Sequence, residues 1–116
     1  MKLYPKDTLY CQGDYAEEVF FIFQGRMKMY FDLNLQHDGH TVNVPFNLYV
    51  EGSYFGDSDI FVSEGRNARD CSAIAVVETQ LLVITRKELF ELFRRFKNIA
   101  LSMREVGIER KKHHEK

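Results

Sequence analysis

The sequence predicts an α+β domain, an antiparallel barrel or jelly roll with helices packed on one end of it. Three observations carry that prediction. Aromatic and β-branched residues dominate as far as about Thr85, and helix formers dominate after it. Within the first part, short apolar runs alternate with turn signals at close spacing, the mark of small antiparallel sheets. At the change of composition stands Thr85-Arg86-Lys87-Glu88, where a threonine and a glutamate three residues on can cap a helix reciprocally.

The elements follow in order. Thr8 to Cys11 is a short strand, ended by the turn signal Gln12-Gly13-Asp14. Glu18 to Gln24 reads as a buried strand, with Val19, Phe21 and Phe23 on one face and Phe20 and Ile22 on the other. Gly25 breaks it, and Arg26 to Phe31 resumes with Met27, Met29 and Phe31 alternating against Arg26, Lys28 and Tyr30. Leu33 to His40 is polar and holds Asp38-Gly39, a hairpin-turn pair, so His37 and His40 belong to a surface tip. Thr41 to Val50 is a further strand, in which Pro45 marks an edge or a bulge. Cys71 to Val77 and Gln80 to Thr85 form a last pair around Glu78-Thr79. After the cap, Leu89, Leu92, Phe93 and Phe96 recur at helical spacing and supply a buried stripe. A second helical segment carries Ile99, Met103, Val106 and Arg110 along one face and ends in a polar tail in which His113-His114 reads as solvated.

With 116 residues, the chain is one domain over 1–116, its strands within about 3–85 and its helices within about 86–116. A formal net charge of −1 argues against a general nucleic-acid or anionic-membrane binder. No apolar run is long enough to span a bilayer, and the start has no signal-peptide core. Cys11 and Cys71 lack metal or redox spacing and read as free thiols of a reducing compartment, with a disulfide between them as the alternative.

The chemistry concentrates in Gly52-Ser53-Tyr54-Phe55-Gly56-Asp57-Ser58-Asp59-Ile60-Phe61 and in Arg66-Asn67-Ala68-Arg69-Asp70-Cys71-Ser72-Ala73. Glycines let the backbone approach an anion and turn its amides inward. A carboxylate accepts from a ribose hydroxyl, and an arginine forks onto phosphate oxygens. Together they describe a pocket for a sugar phosphate. The bland readings stand beside this: Gly56-Asp57 as a tight turn, and Asp57 as a helix cap. No Ser-His-Asp or Cys-His set is suggested, and His37-x-x-His40 at a turn lacks the His-x-His and glutamate set of a metal-binding cupin barrel.

In this order and spacing, the pieces resemble cyclic nucleotide-binding domains, from about Leu3 to Lys112. The anchors are Gly13-Asp14, the strand end Phe20 to Gly25, the Gly52 to Asp57 segment, and Ala73 closing the arginine loop. The resemblance implies an eight-stranded antiparallel jelly-roll barrel with a short helix in the phosphate cassette and two C-terminal helices. It implies a cyclic nucleotide ligand, cAMP or else cGMP, and no cofactor or metal. The implied cassette residues are Phe55, Gly56, Asp57, Ser58, Asn67, Ala68 and Arg69, with Arg66 as the alternative arginine. Val44, Cys71 and Arg110 fall at base or lid positions. The tail from Phe96 through Val106-Gly107-Ile108-Glu109-Arg110 looks like the last helix of eukaryotic cyclic nucleotide-gated, hyperpolarization-activated and plant-type potassium channels, where it lies over the base. Such a domain would sit on the cytoplasmic face of a membrane channel, cut from a longer protein, with the tetramer and gate linker as partners and the isolated domain a monomer.

The departures are specific. Asp57 stands where the family has a glutamate for the ribose 2′-hydroxyl. Counted back from Ala73, the phosphate arginine falls on Asn67, with Arg66 one place early and Arg69 two late. Ala68 cannot supply the threonine contact that resembles a cGMP preference, and Asp59 replaces an apolar or small residue. From Gly52 to Ala73, Asp57, Asp59, Glu64 and Asp70 face Arg66 and Arg69, so the segment is four minus two, or −2. If the loop is extended, residues two apart share a face and Arg69 points where Asn67 points; a one-residue shift would bring in Arg66 instead. Two function classes therefore stay open: a ligand sensor that biases a channel gate, and a homology domain without a soluble ligand, as in ether-à-go-go-type channels. A kinase regulatory subunit is the further alternative, without a tandem repeat or inhibitor segment to support it. A transcription regulator would need a helix-turn-helix after the last helix.

Overall fold

The computed structural model describes residues 1–35, 39–61 and 67–98. Eight strands run β1 (Lys2–Leu3), β2 (Thr8–Tyr10), β3 (Glu18–Gln24), β4 (Arg26–Asn34), β5 (Thr41–Val50), β6 (Tyr54–Phe55), β7 (Ser72–Ala75) and β8 (Thr79–Thr85), with α1 (Ser58–Phe61) after β6 and α2 (Arg86–Arg95) after β8. They form two four-stranded sheets, ordered β1-β8-β3-β6 and β2-β7-β4-β5. Every named pairing is antiparallel. This is the α+β jelly-roll arrangement the sequence predicts; the second C-terminal helix and the Asp38 turn position lie outside the described residues.

The core sits between the sheets. Phe20, Ile22, Phe55 and Leu81 from one sheet meet Tyr10, Met27, Met29, Ala73 and Ala75 from the other. Met27 and Met29 are fully enclosed, each contributing about 1.5–3 kcal/mol by leaving water. Phe20 and Phe55 stack at 5.4 Å between ring centres, and Tyr49 stacks on the far side of Phe55 at 5.7 Å.

A smaller cluster lies on the outer face of the first sheet. Val19, Ile60 and Leu89 are buried there together, flanked by Phe21, Tyr54, Ile84 and Phe93. The first half of β3 is thus covered on both faces, which is why its sequence is an unbroken apolar run. The cover stops short of the strand's end. Phe23, expected inside, is 77% exposed. On α2 only Leu89 is buried and Phe93 half-buried; Leu92 and Phe96, expected in the same stripe, are exposed. One helix turn suffices to cap Val19 and Ile84, so the rest of the stripe faces outward.

Pro45 lies on an edge strand, as predicted, and beside a bulge. The register steps from Met29↔Asn47 to Tyr30↔Pro45, which makes Phe46 the extra residue of the bulge. Phe46 stacks on Phe31 instead, at 4.2 Å. The α2 cap is also as predicted: Thr85 Oγ1 accepts from the Glu88 N–H, and Glu88 Oε1 accepts from the Thr85 N–H, both at 3.2 Å. Two-residue β1 and β6 carry no periodicity to read, and the sequence gives no sign of either.

Candidate functional site

The site grows out of the end of β6. Phe55 pairs with Phe20 of β3, and the next residue, Gly56, takes φ +87° and swings the chain off the sheet. That backbone conformation favours glycine. Asp57, Ser58 and Asp59 follow directly, all buried, and Ile60 drops into the cluster under α2.

The second wall is the stretch 67–71. It is extended and pairs with the loop after β2: Ala16 N–H donates to Asn67 O (2.9 Å), Tyr15 bridges Ala68, Arg69 N–H donates to Asp14 O, and Gly13 N–H donates to Arg69 O (both 2.8 Å). In an extended chain, alternate residues share a face. Asn67 and Arg69 are accordingly buried, while Ala68 between them is half-buried.

Arg69 is the focus. Its Nη1 donates to Gly56 O at 2.8 Å and its Nη2 to Glu18 O at 2.7 Å. Asp59 Oδ2 lies 3.4 Å from Nη1. That distance is long for a hydrogen bond, so the carbonyls fix the geometry and the carboxylate supplies counter-charge. The guanidinium lies 4.3 Å from the Tyr10 ring centre, a cation–π contact. A Cβ on Gly56 would stand 2.8 Å from Nη1 and 3.2 Å from Glu18 O, so a side chain there would push the guanidinium from its place.

Beneath this lies a cavity of about 10 Å³ lined by Tyr10, Met29, Tyr49, Phe55, the run Gly56 to Asp59, Asp70 and Cys71. It has room for about one water. Its walls carry the carboxyls of Asp57, Asp59 and Asp70, with the Arg69 guanidinium beside Asp59. Burial pushes the Tyr10 hydroxyl well above its ordinary pKa, with neighbouring Cys71 the next contributor. Burial likewise drives the Cys71 thiol up, with Asp70 and Asp59 adding to it, so the thiol stays neutral and serves as apolar lining.

Of the residues singled out in the sequence, Phe55, Gly56, Asp57, Ser58 and Cys71 line one cavity and Arg69 closes it. Asn67 is buried beside Arg69 on the same extended segment, and Ala68 faces Tyr15. Val44 does not line the cavity; it stands on β5 beyond the bulge, opposite Phe31. Arg66 and Arg110 lie outside the described residues. The sequence reading missed Tyr10, Tyr49 and the pairing of Asp59 with Arg69. A carboxylate directly before apolar Ile60-Phe61 was the available signal for the last.

Among the described residues, no group of three or more His, Cys, Asp or Glu is placed to hold a metal ion, and no helix is long and apolar enough to cross a membrane. The family model for the cyclic nucleotide-binding domain matches residues 1–96. The chain belongs to the cyclic nucleotide-binding domain family. Solved structures with the same fold include the catabolite activator protein of Thermus thermophilus, at 21% identity and TM-score 0.77, with 99% of this chain and 50% of that one covered. The EAL enzyme Bd1971 in its cAMP-bound form matches at 20% identity and TM-score 0.71, over 99% of this chain and 28% of that one. The c-di-GMP-responsive regulator CLP of Xanthomonas campestris matches at 14% identity and TM-score 0.75, over 98% and 54%. This cyclic nucleotide-binding domain thus spans about half or less of the length of these relatives. No curated protein sequence matches it.

Proposed function

We propose that the chain is one regulatory sensor domain, spanning 1–116, that takes a cyclic nucleotide at the Gly56 turn and passes its occupancy to an attached output, the gate of a membrane potassium or related cation channel. The observation that carries this is Arg69: a buried guanidinium held against the Gly56 carbonyl, next to Asp57, in a fold of the cyclic nucleotide-binding family. In the liganded state Arg69 forks onto the phosphate, the backbone at Gly56 and Ser58 approaches it, and Asp57 accepts from the ribose 2′-hydroxyl. Asn67 lies on the same face as a further polar contact, and Ala68 brings no hydroxyl, which favours cAMP over cGMP. Arg66 is the alternative phosphate arginine. Cys71 and Val44 fall to the base, with Arg110 of the tail over the purine.

Binding then acts as a population shift, because the ligand can stabilise only the state in which Arg69 has left its internal acceptors. The route outward is physical: Ile60, one residue beyond Asp59, is packed with Val19 and with Leu89 of α2. A move of α1 therefore presses on the C-terminal helix. The channel as output rests on the resemblance of the 96–110 segment. It places the domain on the cytoplasmic face of a membrane assembly, as a monomer when isolated and without a nucleic-acid partner.

Calorimetric titration with cAMP and then cGMP tests the reading, with Arg69→Lys as the variant that keeps the charge and loses the fork. Saturable binding is expected, weakened about tenfold to a hundredfold in the variant. No heat and no thermal shift at millimolar nucleotide overturn it. A second reading would then hold, a ligand-free coupling module; the observation favouring it is the cavity of about 10 Å³ with Arg69 already bonded to Gly56 O and Glu18 O.

A further inference from the structure

We infer that Asp59 is an affinity-setting residue, an internal anion that competes with the phosphate of the ligand for Arg69. The inference rests on the sensor reading above and concerns a residue that reading does not use. Asp59 is the first turn of α1, and its side chain is 3% exposed; that of Arg69 is 2% exposed. A buried guanidinium needs compensating charge. The two carbonyls that hold it, Gly56 O and Glu18 O, carry only partial charge, and Asp59 brings a formal charge to its side, with Oδ2 at 3.4 Å. Its other oxygen faces the Asp70 N–H, also at 3.4 Å, which ties α1 to the arginine segment.

A phosphate arriving at the Gly56 turn meets the same guanidinium. Both anions cannot sit against it without repelling one another in a site of low dielectric. Binding therefore displaces Asp59 from Arg69, or leaves two negative charges crowded together; either way Asp59 lowers the affinity. Because Asp59 precedes Ile60, its displacement moves the residue that packs under Leu89. One side chain thus sets both how tightly the ligand binds and how strongly the unliganded state is held.

The chain and its Asp59→Asn variant are titrated with cAMP by calorimetry. The amide keeps the shape and removes the competing charge, so affinity is expected to rise about tenfold to a hundredfold. The thermal shift produced by saturating nucleotide should rise with it, since the unliganded variant holds Arg69 with less counter-charge. In Asp59→Asn/Arg69→Lys the gain should shrink, because a lysine cannot fork onto the phosphate. Binding by the wild-type chain with an Asp59→Asn affinity equal to it or weaker overturns this inference and leaves the sensor reading intact. Absence of binding in both chains overturns the two together, and binding only by the variant supports the competition by Asp59 while overturning the wild-type chain as a sensor. Should Asp59→Asn not fold, carboxyl-carbon and guanidinium-nitrogen NMR of the wild-type chain decides: the Asp59 and Arg69 signals must shift together on adding cAMP, and an Arg69 shift with Asp59 unmoved overturns the inference.

Discussion

Two turns of this molecule use the same backbone device for opposite ends. Gly25, between β3 and β4, and Gly56, after β6, both adopt positive φ, +109° and +87°. At both, a side chain would collide with a buried polar group. At Gly25 that group is Thr79, a neutral hydroxyl that donates to Val77 O at 2.8 Å and accepts from the Arg26 N–H at 3.2 Å. Its needs are met within the turn, and nothing is left to exchange. At Gly56 the group is Arg69, a full charge lodged among carbonyls. Carbonyl acceptors can be traded for phosphate oxygens, whereas the Thr79 bonds can be traded for nothing. Close packing at a glycine is thus common to both turns; what sets Gly56 apart is the formal charge packed beside it.

The sharpest way to break that contrast is Arg69→Ala. It leaves Asp59 buried without the guanidinium beside it, a loss of about 3–5 kcal/mol in denaturant unfolding. A variant as stable as the wild type would mean that the arginine is not the keystone of its turn. Next in size is the glycine pair. Gly25→Ala should cost about 2–4 kcal/mol, from the left-handed backbone and the overpacking against Thr79, and leave nucleotide affinity unchanged in the folded protein. Gly56→Ala should cost a similar amount and remove binding altogether. Loss of binding in folded Gly25→Ala would erase the distinction.

The smallest effect lies at the α2 cap, outside both turns. Thr85→Ala should cost about 1 kcal/mol. It also changes the acid response. Hydrogen bonds from the Thr85 side chain and backbone hold the Glu88 carboxyl below its usual range. A carboxyl with a lowered folded pKa stabilises at neutral pH, and that share is lost as pH falls through the lowered value. Thermal melts from neutral to acid pH should therefore show a shallower acid slope in Thr85→Ala than in the wild-type chain.

What was legible in the sequence had a period or a local rule behind it. The apolar run of β3, the alternation of β4 and the Thr85 box each dictate their structure from within a few residues. What was not legible depended on distance through space. Phe23 and Phe96 fit their patterns, but no residue nearby says where the cover over a face ends. Counting back from Ala73 pointed to Asn67 as the arginine position, while the alternation of an extended strand pointed to Arg69; it is Arg69 that packs against Gly56. The pairing of Asp59 with Arg69 joins residues ten apart across two elements, and no local rule reaches that far.

The bulge at Phe46 has a consequence for the molecule in a crowd of its own copies. β5 is the outermost strand of its sheet, ten residues long, with Val42, Val44, Leu48 and Val50 exposed. A straight strand of that kind is a template on which another chain can crystallise, ribbon on ribbon. Pro45 has no N–H to offer such a visitor, and the extra residue beside it throws the two halves of the strand out of step. The irregularity that seats Phe46 on Phe31 thus also blunts the edge against ribbon-on-ribbon growth.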